Sequence, residues 1–152
     1  MSNDLPGKFI GLLLAFVLTV IMPFVTVTVE NEMLDRRLII TDVTSFIDEV
    51  VDSRVITDGM IDELNVRLAS YGMSVDYEID HYARSINVDP LEGADTYYTT
   101  YTKVDDVYNY KKGDKISVRV FTTSYSATEA LAHKLTGMFV KDLDTTITAR
   151  VR

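Results

Sequence analysis

The chain has no cysteine and no tryptophan, and only three prolines and seven glycines are spread over its 152 residues. Without cysteine it can form no disulfide, no thiolate zinc site and no thiol nucleophile. Sparse proline and glycine leave long uninterrupted runs for regular structure. Positive charge is scarce as well: 15 Lys and Arg stand against 23 Asp and Glu, a formal charge of −8. A nucleic-acid binder needs clustered cations to displace counterions from phosphates, so no nucleic acid is expected as a partner, and no polybasic run marks a lipid-binding patch. Catalytic signatures are missing too. No nucleophile elbow, phosphate loop, dinucleotide fingerprint, zincin helix or paired-histidine motif occurs. Abundant carboxylates are a surface property and identify no acid/base pair, so the expectation is a protein that is not an enzyme, with no catalytic, cofactor-binding or metal residues and no cofactor.

What is present begins with Phe9 to Val29, FIGLLLAFVLTVIMPFVTVTV, which carries no charge. At roughly 21 residues it matches the ~20 that an α-helix needs to cross the hydrocarbon core of a bilayer. Lipid offers the backbone no hydrogen bonds, so the span must be helical, with the hydroxyls of Thr19, Thr26 and Thr28 bonding back one turn. Pro23 then predicts a kink. A buried helix of a soluble core would show a polar face, and this stretch has none. A cleaved secretory signal would be shorter and end at a small-x-small site, whereas Glu30, Asn31 and Glu32 follow Val29. The expected organisation is a short tail over 1–8, a transmembrane helix over 9–29 and one extracytoplasmic α+β domain over 30–152. The positive-inside rule sees Lys8 before the span and Arg36 and Arg37 after it and is nearly silent. The short tail suits a signal-anchor with its C-terminal domain outside.

Beyond the span, Ile39, Val43, Phe46 or Ile47, and Val50 recur at helical spacing, which predicts a helix running on to about Arg54 with one apolar stripe. That stripe is expected to pack on the domain's own sheet; the other use for it is an assembly surface. Thr57 or Asp58 caps a second helix lined by Ile61, Leu64 and Leu68 and stopped at Gly72. Met73, Val75, Tyr77 and Ile79 alternate with acids and polar residues to Asp80, the pattern of a half-buried strand. The acids match no calcium loop, and His81 at the strand end reads as a surface or rim residue. Ile86 and Val88 extend the sheet, and 89–95 reads as a loop. Tyr97, Tyr98, Tyr101, Tyr108 and Tyr110 form either an adhesive surface or a strand of high β-propensity. Val104 to Tyr108 reads as a helical turn, Lys111 to Asp114 as a tight turn. Lys115 to Thr123 alternates with Ile116, Val118 and Val120 on one side. Ser126 with Glu129 forms a capping box before the stripe Ala127, Ala130, Leu131, Leu135 and Met138, which leaves His133 exposed. Thr145 to Arg152 gives a last strand with Ile147, Ala149 and Val151 inward. The fold class expected is an N-terminal transmembrane helix continuing into a long amphipathic helix packed on a small mixed β-sheet with additional helices.

The apolar N-terminus with Pro23, the helix through Phe46-Ile47-Asp48, Val55-Ile56-Thr57-Asp58-Gly59 before a helix ending Tyr71-Gly72, and Gly113-Asp114 before a strand together form a layout. It resembles the small pilin-like proteins that accompany bacterial tight-adherence pili and related type IV filament machinery. The resemblance implies an exported minor pilin or pseudopilin-like component, single-pass in a bacterial cytoplasmic membrane with its head outside. Type IV prepilins carry a glutamate five residues after their processed glycine; here Gly7 puts Leu12, and Gly11 puts Phe16, at that place. The function expected is therefore a membrane-anchored structural or interaction subunit of an extracellular appendage or secretion apparatus. Its partners would be membrane lipid through the N-terminal helix and proteins of the assembly, itself included. The alternative is an anchored ligand-binding module using the Tyr-rich segment 97–110.

Overall fold

A computed structural model gives the fold over residues 5–71, 73–88, 97–124, 130, 134 and 142–152. The N-terminal half is one helical rod, Pro6–Ser53, of 48 residues, about 72 Å long at 1.5 Å per residue. It comprises α1 (Leu5–Phe16), a π-helical turn over Val17–Ile21 and α2 (Met22–Ser53). Proline at 23 has no N–H to give the Thr19 carbonyl, and its ring crowds that oxygen. The rod meets this with a widened turn just before the proline, in which the Met22 N–H reaches back to the Val17 carbonyl. Thr19, Thr26 and Thr28 donate to the carbonyls of Ala15, Met22 and Phe24 at 2.6, 3.0 and 2.9 Å, as the sequence leads one to expect.

The rod stops at Arg54, which takes the left-handed conformation at φ 62° and donates its N–H to the Val50 carbonyl. Helix α3 (Asp58–Ala69) starts at Thr57, whose side chain accepts from the Met60 N–H. It docks with Leu64 and Leu68 buried in the shared core and with polar contacts at the rim: the Tyr71 hydroxyl donates to Asp42 at 2.6 Å, and Arg67 bridges Asp42 and Glu63 at 3.5 and 2.5 Å. The Asp42 hydrogen bond pushes the Tyr71 phenol up to about 12. Ser70 closes the helix; Gly72 lies outside the described residues.

Strands β1 (Ser74–Val88), β2 (Tyr97–Val104), β3 (Lys115–Ser124) and β4 (Asp144–Arg150) form one sheet in the order β2-β1-β3-β4. Each neighbouring pair is antiparallel, which corrects the expected mixed sheet. The β2 to β3 connection returns to the other side of β1, so two strands of like direction never become neighbours. β1 also runs straight through the point where the alternation of Met73 to Asp80 seemed to end. Its second half, in which Ile86 and Val88 extend the sheet as expected, is paired with β2 from His81 to Val88. The segment after Val104 is not a helical turn. There the Asp106 carboxylate accepts from the N–H groups of Tyr108 and Asn109, an Asx arrangement that takes the donors a helix would need.

Strand alternation and register put Val75, Tyr77 and Ile79 opposite Thr122, Val120 and Val118 on the sheet face that α2 and α3 cover. The core is Ile39, Val43, Phe46, Ile47 and Val50 of the rod against Ile116, Val118, Val120 and Val151. The amphipathic stripe thus packs on the domain's own sheet. The other face carries charge: Arg119 reaches Asp144 and Glu78 at 2.9 and 3.7 Å, and Lys103 reaches Asp80 at 2.6 Å. The helix expected from Ser126 falls outside the described residues except at Ala130 and Lys134, both helical; His133 and the loop over 89–95 lie outside them too.

Candidate functional site

Three parts of the molecule bear on function. The first is the rod's outer surface. Phe9, Leu12, Leu13, Leu14, Phe16, Leu18, Met22, Phe24 and Val27 are all more than half exposed. The rod is the one helix among the described residues long and apolar enough to cross a membrane. Exposed apolar side chains continue past Val29 as Met33, Leu34 and Leu38. Val27, Leu34 and Leu38 stand seven and four residues apart, which puts them on one helical stripe. That stripe is distinct from the buried one, since Ile39 and Val43 face the sheet.

The second part is a buried polar knot where the rod's end meets the sheet. Sequence reading takes His81 for a surface residue, yet it is buried, and so is Asp114. The reason is the length of β1: His81 falls mid-strand, on the same face as Ile79, opposite Ile116. Its Nε2 lies 3.0 Å from the Asp114 carboxylate and its Nδ1 contacts the Asp106 carbonyl oxygen. Both ring nitrogens thus face oxygen atoms. Tyr110 stacks on the ring at 4.3 Å between centroids. Asp114 also accepts from the backbone N–H groups of Arg84 and Lys111 at 2.9 and 2.8 Å. Burial pushes its carboxyl up, but these N–H groups together with His81 outweigh that effect and hold it below the ordinary carboxylate value. A single side chain thereby ties β1 to the turn that opens β3. The neighbouring segments are tied as well: the Ile56 N–H donates to the Tyr108 carbonyl, the Tyr110 N–H to the Arg54 carbonyl, and Arg54 Nε to the Arg152 carbonyl at 3.0 Å. Gly113 occupies that turn at φ 97°, where a side chain would be strained.

The third part is the Tyr-rich segment, which the fold disperses. Tyr97 and Tyr98 sit exposed on edge strand β2, and successive positions of a strand point to opposite faces. The ring of Tyr101 is covered by the Lys115 ammonium at 3.8 Å, Tyr108 is exposed, and Tyr110 is buried against His81. Burial pushes the Tyr110 phenol up. No continuous aromatic platform results from the five. Among the described residues no group of three or more His, Asp or Glu is placed to hold a metal ion. Of the outer-face acids of β1, Asp80 and Glu78 are engaged with Lys103 and Arg119.

No protein-family model, curated protein or solved structure matches the chain.

Proposed function

We propose that the protein is a single-pass, membrane-anchored structural or interaction subunit, minor pilin-like or pseudopilin-like, of an extracellular appendage or secretion apparatus, with its α+β head outside a bacterial cytoplasmic membrane. The observation that carries this reading is the exposed apolar stripe Val27, Leu34 and Leu38, which continues beyond the apolar run while the opposite stripe of the same helix is occupied by the sheet. A helix that merely anchors a domain has no use for apolar exposure outside the bilayer, where water penalises it at about 25 cal/mol per Å². A neighbouring helix would remove that penalty. In the bilayer itself, lateral association would rest on close packing rather than on the hydrophobic effect.

The test exploits the lack of native thiols. Single cysteines scanned from Met22 to Leu38 in the full-length protein should cross-link to a second copy or a partner with a period near 3.6 residues, strongest at Val27, Leu34 and Leu38. Cysteine at Glu92 should react with a membrane-impermeant maleimide in intact cells. Cross-linking without helical period would end the subunit reading, and labelling only after lysis would place the head in the cytoplasm.

A further inference from the structure

The sequence contains no basic run, yet the fold assembles one. Arg84 from β1, Lys112 and Gly113 from the β3 turn, and Arg150 and Arg152 from the end of β4 line a half-open cleft of about 590 Å³ beside Asp48 of the rod. The knot described above builds it. Asp114 fixes the Arg84 backbone, and the turn is clamped to β4 by Gly113 N–H to Val151 O and Val151 N–H to Asp114 O, both 2.9 Å. The guanidinium of Arg84 lies so close over Gly113 that an added Cβ there would sit 2.8 Å from its Cδ and 2.9 Å from its Nη1, with Arg150 Nη2 at 3.7 Å.

Arg67, Lys103 and Arg119 each have a carboxylate within 4 Å, whereas among the described residues Arg84, Lys112, Arg150 and Arg152 have none. Arg84 Nε is buried with no hydrogen-bond partner among those residues. Three of these four cations are planar guanidinium forks suited to bidentate oxyanion contacts, and they line the cleft against the single carboxylate of Asp48.

We infer that this cleft binds an oxyanion of the phosphate class, as a free ion or a phosphoryl group on a larger soluble ligand. Four converging cations exceed what a monovalent carboxylate neutralises, which favours the multivalent ion. The length of the rod sets the source. With the span ending near Val29, Asp48 lies about 28 Å further along the helix, beyond the headgroups of the protein's own bilayer. Asp48 opposes the ligand and tempers its affinity.

The test titrates full-length protein in nonionic detergent with inorganic phosphate by calorimetry. Saturable binding is expected, weakened at least about tenfold by Arg84→Gln or by Arg150→Gln, each a lost charge-assisted contact. It should tighten about two- to threefold with Asp48→Asn and be unchanged in Lys103→Gln, whose cation is already paired with Asp80. Arg150 is exposed, so its variant keeps the fold, which circular dichroism verifies. Absence of saturable binding, an equal loss in Lys103→Gln, or acetate competing as well as phosphate overturns the proposal. A second arm repeats the titration in nanodiscs of neutral phosphatidylcholine and of anionic phosphatidylglycerol. Equal phosphate affinity in both is expected; competition by the anionic bilayer would assign the cleft to lipid headgroups and overturn the soluble source.

Discussion

The two halves of the N-terminal rod carry the same apolar residue types in opposite surroundings. Leu12 is 70% exposed and Phe9 69%, while Ile39 and Val43, thirty residues on in the same helix, are 0% exposed. Residue type does not explain the difference. In the second half the apolar positions recur every three or four residues and polar ones fill the rest, so a single sheet covers them. In the first half apolar side chains point in every direction, and no protein layer of this size surrounds a helix on all sides. The first half therefore needs a solvent that is apolar all round, the second only a wall. The threonines show the same contrast. All along the rod they bond to the carbonyl one turn back, at Thr19, Thr26 and Thr28 and again at Thr41 and Thr44, but only in the first half does this bond stand in for absent water.

The sharpest way to break the comparison is to damage each half in turn. Phe46→Ala removes a buried ring from the seam between rod and sheet and should cost the head about 3 to 5 kcal/mol, read as a lowered denaturation midpoint with membrane association intact. Leu14→Arg should do the opposite. It places a charge in mid-span at about 2.5 to 3.5 kcal/mol on insertion scales, and membrane fractionation should find the protein released while the head stays folded. If Phe46→Ala released the protein from membranes, or if Leu14→Arg unfolded the head, the two halves would not be the independent units described here.

A smaller effect separates the head's apolar seam from its polar knot. Asp114→Asn keeps the size of the side chain but removes the charge that three donors share, and should cost about 1 to 3 kcal/mol at neutral pH. The pH dependence has a definite sign. The folded protein holds the Asp114 carboxyl below its ordinary value, so the stabilisation is fully present above the unfolded value of about 3.9 and is lost as pH falls through the lower folded value. Chemical denaturation of both proteins across pH 2 to 7 should show the gap between wild type and Asp114→Asn narrowing below about pH 4. A gap constant with pH would mean that packing rather than charge accounts for the Asp114 contribution.

Much of this architecture was legible in the residues. The uncharged run Phe9 to Val29, the stripe from Ile39 to Val50, the cap at Thr57, the alternation of Ile116, Val118 and Val120 and that of Ile147, Ala149 and Val151 are local periodicities. A local period is the imprint of one element with one buried face, so it needs no knowledge of what lies opposite. What escaped is set by residues distant in the chain. His81 reads as a rim residue because its partners Asp106 and Asp114 lie 25 and 33 positions away. Arg84, Lys112, Arg150 and Arg152 read as scattered surface charge because only the pairing of β1 with β3, and of β3 with β4, carries them to one cleft. The strand directions were likewise hidden, since an alternating segment has the same pattern whether its neighbour runs parallel or antiparallel. Periodicity is a one-dimensional quantity and fixed the elements and their inward faces; register and burial of charge are relations between elements, and only the folded chain settled them.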